Sequence, residues 1–414
     1  MQRIVLVGSV LLLVAAGGVL ALVFWPRPSQ PLEVPSSRND PGPAPARVVD
    51  ESKALASLEP FLSNRERDGT QPGKPTIGLT LGGALDDSHL RALADLPHLQ
   101  KLVLNGARVT DAGLEPLAGL RQLEYLQLDN TFISDAGLKH LAGLERLRTL
   151  RLRATAISDA GLKQLAGLAS LEMLGLFGTR ITSAGLEALT GMPRLRDLDL
   201  RFTSVDDAGL AILGRLPQLR NLALEKTKIS SAGLVHLQKL GQLELLDLNG
   251  TAVGDPGLKH LGAIRSLKLL FLADTQVTDD GLPWLDTLEG LHTLDLAGTR
   301  TTGRKLPPLP ALERLNLART VTRDEGIEVL ATRGRLRELN LAFTDLTDRA
   351  APALARLAGL EDLDLWKTRL TSKGVIALEP LKKLRKIHLV VGEEITEEAV
   401  EQLQQALPGL KIER

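Results

Sequence analysis

The sequence predicts an α/β solenoid built from short strand–turn–helix units and preceded by one transmembrane helix. Three observations carry this prediction: a leucine frame with a 24-residue period, a threonine at one fixed place in each unit, and a long apolar run near the N-terminus. Units of this length bury their apolar side only against their neighbours. The frame L-x-x-L-x-L-x-x-T-x-[IV]-x-D-x-G-L-x-x-L-x-x-L begins at Leu99, Leu123, Leu147, Leu171, Leu195, Leu219, Leu243, Leu267 and Leu291, and after one 21-residue step at Leu312, Leu336, Leu360 and Leu384.

Each unit is predicted to contain a strand, a turn and a helix. In the unit that starts at Leu123, Leu126 and Leu128 alternate with Tyr125 and polar residues, which is the pattern of a short strand with one buried side. Ser134 then supplies a short oxygen-bearing side chain that suits the start of a helix. Leucines three residues apart follow and predict a short helix of mixed α and 3₁₀ character: Leu138, Leu141 and Leu144.

Threonine and glycine occupy fixed columns, and both columns are interpreted as structural. A buried turn has backbone polar groups that need hydrogen bonds, which a ladder of hydroxyls would supply. The glycines would allow the turn and the helix to approach closely. The threonines are Thr131, Thr155, Thr179, Thr203, Thr227, Thr251, Thr275, Thr299, Thr320, Thr344 and Thr368, and the glycines are Gly113, Gly137, Gly161, Gly185, Gly209, Gly233, Gly257, Gly281, Gly326 and Gly374.

The repeat resembles the leucine-rich repeat family over about residues 76–414. The form T-x-I-[ST]-D-A-G-L at Thr131–Leu138 and Thr155–Leu162 is similar to the cysteine-containing subclass, known from F-box ubiquitin-ligase adaptors and bacterial repeat proteins. Threonine stands here where that subclass often has cysteine or asparagine, and no F-box-like segment precedes the repeats. The resemblance implies a right-handed horseshoe with a concave parallel sheet and convex short helices, whose concave face binds a partner, usually a protein.

Composition and motifs argue against a catalytic function. Lys+Arg and Asp+Glu both total 50, so no overall basic field favours nucleic acid, and cysteine is absent, which excludes thiol catalysis. The chain has no phosphate-binding glycine loop, no H-E-x-x-H and no G-x-S-x-G. We therefore predict a protein that is not an enzyme and has no catalytic residues, no cofactor and no metal.

The N-terminus predicts a membrane anchor. Residues Ile4 to Trp25 are uncharged and long enough to span a bilayer as a helix, so 1–25 is interpreted as a signal anchor, with a cleaved signal peptide as the alternative. The expected product is a single-pass membrane protein with its repeats on the extracytoplasmic side, although Arg3, Arg27 and Arg38 make the positive-inside count nearly even.

Three further segments complete the predicted organisation. Residues 26–49 are proline-rich and predict an extended linker, and 50–75 predict an N-terminal capping helix with a connector. Residues 76–414 form the repeat domain, with a C-terminal capping helix at Glu397–Ala406. The segment Thr301–Pro310 lies in a unit three residues short and is predicted to lack the usual helix, either as a tolerated deletion or as a partner-specific notch.

Strand geometry places the candidate binding residues on the concave face. The face is expected to present the residues two, four, six and seven places after each starting leucine, and six of the eight aromatic residues from Leu99 onward fall there. Aromatic and arginine anchors are typical of interface hot spots. The alternative is that the rings at the sixth and seventh places fold back over the turn. The predicted partner-binding residues are Tyr125, Arg151, Arg153, Phe177, Arg201, Phe202, Phe271, Phe343 and Trp366.

One acidic column also lies on this face. Asp199, Asp247, Asp295 and Asp364 share it with asparagines at 316 and 340, and we interpret it as a solvated polar ladder rather than a calcium site. The predicted function is non-catalytic protein binding by a membrane-anchored repeat protein. The alternative is a structural envelope protein that self-associates or binds cell-wall glycan.

Overall fold

The strands of the described chain, residues 51–71 and 73–414 of the computed structural model, pair in sequence order into one sheet of 16 strands. The strands are β1 (Leu62–Arg67), β2 (Thr76–Leu81), β3 (Lys101–Leu104), β4 (Tyr125–Gln127), β5 (Thr149–Arg151), β6 (Met173–Gly175), β7 (Asp197–Asp199), β8 (Asn221–Ala223), β9 (Leu245–Asp247), β10 (Leu269–Phe271), β11 (Thr293–Asp295), β12 (Arg314–Asn316), β13 (Glu338–Asn340), β14 (Asp362–Asp364), β15 (Lys386–His388) and β16 (Lys411–Glu413).

Neighbouring strands of this sheet pair through equivalent residues of successive repeats. β1 and β2 are antiparallel, and from β2 onward each strand pairs in parallel with the next, so that Leu126 of β4 lies beside Leu150 of β5. Leu126 and Leu128 are fully buried, whereas Tyr125 is partly exposed. The predicted alternation and the parallel sheet are therefore confirmed, and equivalent residues of successive repeats stand side by side.

The helices that follow the strands are short and mix α and 3₁₀ geometry, as predicted. The α-helices are α1 (Ser52–Leu58), α2 (Asp87–Leu90), α3 (Asp135–Leu138), α4 (Asp159–Gln164), α5 (Asp207–Leu213), α6 (Asp255–Leu261), α7 (Asp324–Leu330), α8 (Ala351–Leu354), α9 (Ser372–Ile376) and α10 (Glu397–Ala406). The 3₁₀ helices are Glu59–Phe61, Arg91–Asp95, Asp111–Gly119, Ser183–Gly191, Gly233–Lys239, Leu282–Leu285 and Asp348–Ala350.

The threonine column supplies hydrogen bonds to the backbone carbonyls of the turns. Thr131 is buried and donates its hydroxyl to the carbonyl of Leu128 at 2.7 Å. All eleven threonines of the column make this bond to the residue three places earlier, at 2.5–2.9 Å. Their structural interpretation is confirmed, because each hydroxyl supplies a hydrogen-bond donor to a carbonyl of the turn, which in several repeats also accepts the backbone amide of the same threonine at 3.2 Å.

An aspartate ladder joins successive helix starts, which the sequence analysis did not recognise. Ser158 caps α4 by accepting the Ala160 amide, and it donates its own amide and hydroxyl to Asp135 of the preceding repeat, at 2.7 and 2.5 Å. A Cβ on Gly161 would lie 2.3 Å from that carboxylate, and the aspartate of the preceding repeat is also the nearest neighbour of such a Cβ at Gly113, Gly137, Gly185, Gly233, Gly281 and Gly374. The same bond to the next repeat is made by Asp87, Asp111, Asp159, Asp207, Asp255, Asp279, Asp324 and Asp348.

The short unit keeps the sheet register but has no helix over 301–310, as predicted. The Arg333 Nη2 donates to the carbonyl of Leu306 at 2.9 Å, so an arginine of the next repeat reaches this segment. At the N-terminal side, α1 buries Ala54, Leu55 and Leu58 in the same core as the repeats. The antiparallel pairing of β1 with β2 was not anticipated.

The prediction that a transmembrane helix precedes the solenoid is wrong for the chain that the structure describes. Within 51–71 and 73–414, no helix has both the length and the apolar character needed to cross a bilayer. The predicted anchor (1–25) and linker (26–49) lie outside the described residues. The fold class is thus corrected to the solenoid with its parallel sheet, and the localisation as a single-pass membrane protein is corrected with it.

Candidate binding face

The concave face is defined here by the side chains two, four, six and seven places after each starting leucine. Tyr125 and Gln127 alternate with buried Leu126 and are partly exposed on this face. Because the strands pair in register, equivalent residues of neighbouring repeats form columns with a spacing of about 4.8 Å. The nine predicted partner-binding residues belong to these columns, and their surroundings differ.

Three of the predicted residues lie against the phenyl ring of a fourth, Phe177. The guanidinium carbon of Arg153 lies 4.1 Å from the ring centroid of Phe177, and that of Arg201 lies 5.4 Å from it. The ring of Phe202 lies 5.0 Å from that of Phe177, with the planes tilted by 43°. Both arginines are within the range of a cation–π interaction. We call Arg153, Phe177, Arg201 and Phe202 the N-terminal cluster.

The two arginines of the N-terminal cluster differ in their charge partners. Arg201 donates Nε and Nη2 to the two carboxylate oxygens of Asp199, at 2.9 and 2.7 Å, and its Nη1 lies 4.0 Å from Glu225. Burial acts to lower the pKa of Arg201, but these carboxylates outweigh it and the pKa is raised. The guanidinium of Arg153, in contrast, makes no ion pair within 4.0 Å to a carboxylate of the described residues.

Tyr125 and Arg151 belong to a polar chain next to this cluster. The Tyr125 hydroxyl donates to Gln127 at 2.8 Å, and the Gln127 amide donates to Asp129 at 2.7 Å. Arg151 Nε lies 3.5 Å from the same Asp129 oxygen. Asp129 also accepts the backbone amide of Arg153 at 2.8 Å. The polar chain and the N-terminal cluster are therefore contiguous.

The other three predicted residues lie elsewhere. Phe271 is only 9% exposed, so the ring is buried rather than presented on the face. Phe343 is 37% exposed, with Lys367 Nζ 5.1 Å from its ring centroid. Trp366 is partly buried and packs against a strip of alanines at the sixth place, namely Ala273, Ala297, Ala318 and Ala342.

The backbone at the seventh place is left-handed. Phe202 and Phe343 have φ angles of 56° and 57°, a conformation that costs residues with a Cβ about 1–2 kcal/mol. Asn130 and Gly178 take the same conformation in other repeats, which shows that the fold accepts small residues there. The repeat pattern does not predict this conformation. Phe202 is nevertheless 45% exposed, so its ring is not held there by core packing.

Each side chain of the acidic column described below accepts a hydrogen bond from the backbone just after its own strand ends. Asp199, Asp247 and Asp295 each accept the amide two residues further on, at 2.9–3.1 Å. Asn316 and Asn340 accept the equivalent amide at 3.0 and 2.9 Å. A neutral side chain thus performs the same structural task, and the negative charge is not required for it.

Asp247 has an unusual environment within this column. It is 1% exposed, and no described residue hydrogen-bonds its Oδ2. Burial, more than any other cause, raises the pKa of Asp247 to about 7. Burial also raises the pKa of Glu225, whose role the sequence analysis missed although it follows Arg201 in the column six places after the starting leucine. We call Asp199, Glu225 and Asp247 the acidic patch.

The sequence frame also matches a known family model. Residues 97–157 and 121–181 match the model described as leucine rich repeat. The matched residues are therefore leucine-rich repeats. No curated protein matches this chain in a comparison of whole sequences.

Solved structures share the fold of this chain. An internalin from Listeria monocytogenes is 22% identical with a TM-score of 0.62, and the match covers 83% of this chain and 94% of the internalin. A leucine-rich repeat protein from Leptospira interrogans is 20% identical with a TM-score of 0.59, and that match covers 88% of this chain and 99% of the other. Identities this low establish the fold alone. The subclass with cysteine is not confirmed.

Proposed function

We propose that this leucine-rich repeat protein is a non-catalytic binding protein that engages a protein partner through its concave face. The groups that meet in the N-terminal cluster are guanidinium and phenyl groups, which are the chemistry of interface hot spots. Internalins and other leucine-rich repeat proteins share the scaffold, and this likeness is compatible with a binding role. The form of the repeat still resembles the cysteine-containing subclass, with threonine in the cysteine position.

The observation that carries this proposal is the contact of both Arg153 and Phe202 with the ring of Phe177. The Arg153 guanidinium stacks on the ring while no described carboxylate pairs with it. Its planar donors are thus available for a carboxylate of the partner. Phe202 adds an exposed ring at a backbone position where asparagine or glycine is less costly. Residues as different as Ala154, Lys226 and Arg319 take the same conformation in other repeats, so the exposure of the Phe202 ring, rather than its backbone, supports a functional role for it.

The test is affinity capture with the full chain, comparing two variants. Phe177→Ala combined with Phe202→Asn removes the aromatic part of the N-terminal cluster, and asparagine is the residue found at the equivalent position 130. Trp284→Ala is the matched control, because Trp284 is a 49% exposed aromatic on a 3₁₀ helix outside the concave face. Proteins captured from an extract of the source cells are identified, and the partner is then purified and titrated.

A partner that binds the wild type and Trp284→Ala but loses at least about tenfold affinity for the double variant would support the proposal, since one hot-spot ring contributes about 2 kcal/mol or more. Equal affinity for all three proteins would refute this placement of the site. Capture of cell-wall polysaccharide in place of protein would favour the envelope alternative.

A further inference from the structure

The acidic patch has one close cation for three carboxylates. The guanidinium of Arg201 lies 2.7 Å from the Asp199 carboxylate and 4.0 Å from that of Glu225. Among the described residues, no other cationic side chain lies within 4.0 Å of a carboxylate of the patch. Asp247 has no ion pair within that distance in the described chain, although the charges of Glu225, Arg201 and Asp199 all act on it. The patch therefore has a local excess of negative charge.

Asp247 adds an unpartnered oxygen to this excess. Its Oδ1 accepts the Asn249 amide at 3.0 Å, while its Oδ2 is buried with no hydrogen-bond partner among the described residues. Leaving a buried acceptor without a donor is unfavourable, and more so when the acceptor is charged. Asn316 satisfies the equivalent turn without a charge, and Ala223 occupies the same column with no polar group at all. Folding therefore does not account for the carboxylate.

The surroundings extend the negative charge along the face. From β7 to β11, the acidic residues of the concave face outnumber the basic residues. The acidic ones are Asp197, Asp199, Glu225, Asp247, Asp274 and Asp295, and the basic ones are Arg201 and Lys226. Carboxylates this close to one another interact repulsively, and a cation brought by a partner would relieve the repulsion.

We propose that the acidic patch formed by Asp199, Glu225 and Asp247 is a binding site for a lysine or arginine side chain of the protein partner. This inference rests on the proposed function and specifies the chemistry of the partner. The side chains of Asp199 and Glu225 are 18% and 20% exposed and form the part of the patch that a ligand reaches directly. Asp247 is the buried third carboxylate, and its attraction for the cation is screened little by water.

The experiment uses fluorescein-labelled tetralysine as the probe and the full chain as the receptor, with fluorescence anisotropy at low ionic strength and about pH 8, where Asp247, with a pKa of about 7, is ionised. Tetra(acetyl-lysine) is the neutral probe. The test variant is Glu225→Gln with Asp247→Asn, which keeps the size of both side chains and the bond to the Asn249 amide. The control is Asp286→Asn with Glu289→Gln, which removes the same charge from two exposed residues outside the concave face.

We expect tetralysine to bind the wild type and the control with the same affinity, to bind the test variant about tenfold more weakly, and to lose binding on acetylation. The single variant Asp247→Asn should give an intermediate loss, and both variants should unfold at a higher denaturant concentration than the wild type. Higher stability combined with weaker binding would separate a binding role from a structural one.

Equal affinity of the wild type and the test variant would overturn the site. Equal weakening in the control would also overturn it, because only the net charge would then matter. The same variants distinguish this inference from the proposed function. A partner that is lost from Phe177→Ala/Phe202→Asn but still binds Glu225→Gln/Asp247→Asn would leave the concave interface intact and refute the cation site.

Discussion

Replacing Asp247 by asparagine should stabilise the protein, and more so at alkaline than at acidic pH. The carboxylate is 1% exposed, and burial raises its pKa from 3.8 to about 7. A raised pKa means that the folded state binds the proton more tightly than the unfolded state does. The contribution of Asp247 to stability is therefore most favourable below the unfolded pKa, and it is lost as the pH rises towards the folded pKa.

The size of the expected stabilisation follows from the shift in the pKa of Asp247. At 1.36 kcal/mol per pKa unit, ionised Asp247 lowers the free energy of unfolding by up to about 4 kcal/mol above pH 7. Between about pH 5.5 and about pH 8 this penalty grows by about 2 kcal/mol in the wild type. Asparagine has no such titration and keeps the bond to the Asn249 amide, as Asn316 does in the same column.

The assay is urea unfolding followed by far-UV circular dichroism at the two pH values. The comparison is made between midpoints, because a stack of repeats need not unfold in one step. The stability gain of Asp247→Asn should be larger at the higher pH. Asp286→Asn, an exposed acid outside the concave face, should show no comparable gain. A gain that is the same at both pH values would contradict the raised pKa.

Three further substitutions test the repeat scaffold and the concave face. In thermal unfolding, Gly161→Ala should destabilise the protein by about 2–4 kcal/mol, because the new Cβ displaces the Asp135 carboxylate and breaks its charged hydrogen bonds. The control Gly167→Ala should be neutral, because no atom lies within 4 Å of the new Cβ. Phe202→Asn should raise the free energy of unfolding by about 1 kcal/mol through relief of its left-handed backbone while it weakens partner binding, and a lower midpoint would show that the ring packs in the core. Thr227→Val should cost about 1 kcal/mol in urea unfolding because the Leu224 carbonyl loses its hydroxyl donor and keeps only the backbone amide of residue 227 at 3.2 Å, and an unchanged midpoint would remove the structural role assigned to the threonine column.

Much of the scaffold could be predicted because its contacts are periodic. Leu126 packs against the equivalent leucine of the next repeat, and the hydroxyl of Thr131 bonds three residues back, so one repeat contains nearly all the information for the stack. The aspartate ladder was missed because Asp135 bonds across the boundary of the repeat. The membrane helix was inferred from apolar length alone, and no helix of the described chain supports it.

The candidate site was only partly predictable. The period places Phe177, Phe202 and Phe271 on the same face, but it does not show which way each side chain turns. In the structure, Phe177 stacks with Arg153 and contacts Phe202, whereas Phe271 is buried. A charge substitution at Phe271 would consequently perturb folding and test binding poorly.

The sequence by itself determined the repeat, the buried leucines, the hydroxyl ladder and the order of the strands, because each depends on local spacing and on one neighbouring repeat. The tertiary structure decided which side chains of three or four adjacent repeats meet and which are removed from water. That is why the Arg153 guanidinium stacks on Phe177 without an ion pair to a described carboxylate, and why Asp247 has a raised pKa. Desolvation depends on how all neighbouring side chains pack around a group, and the spacing of residues along the chain does not specify that packing.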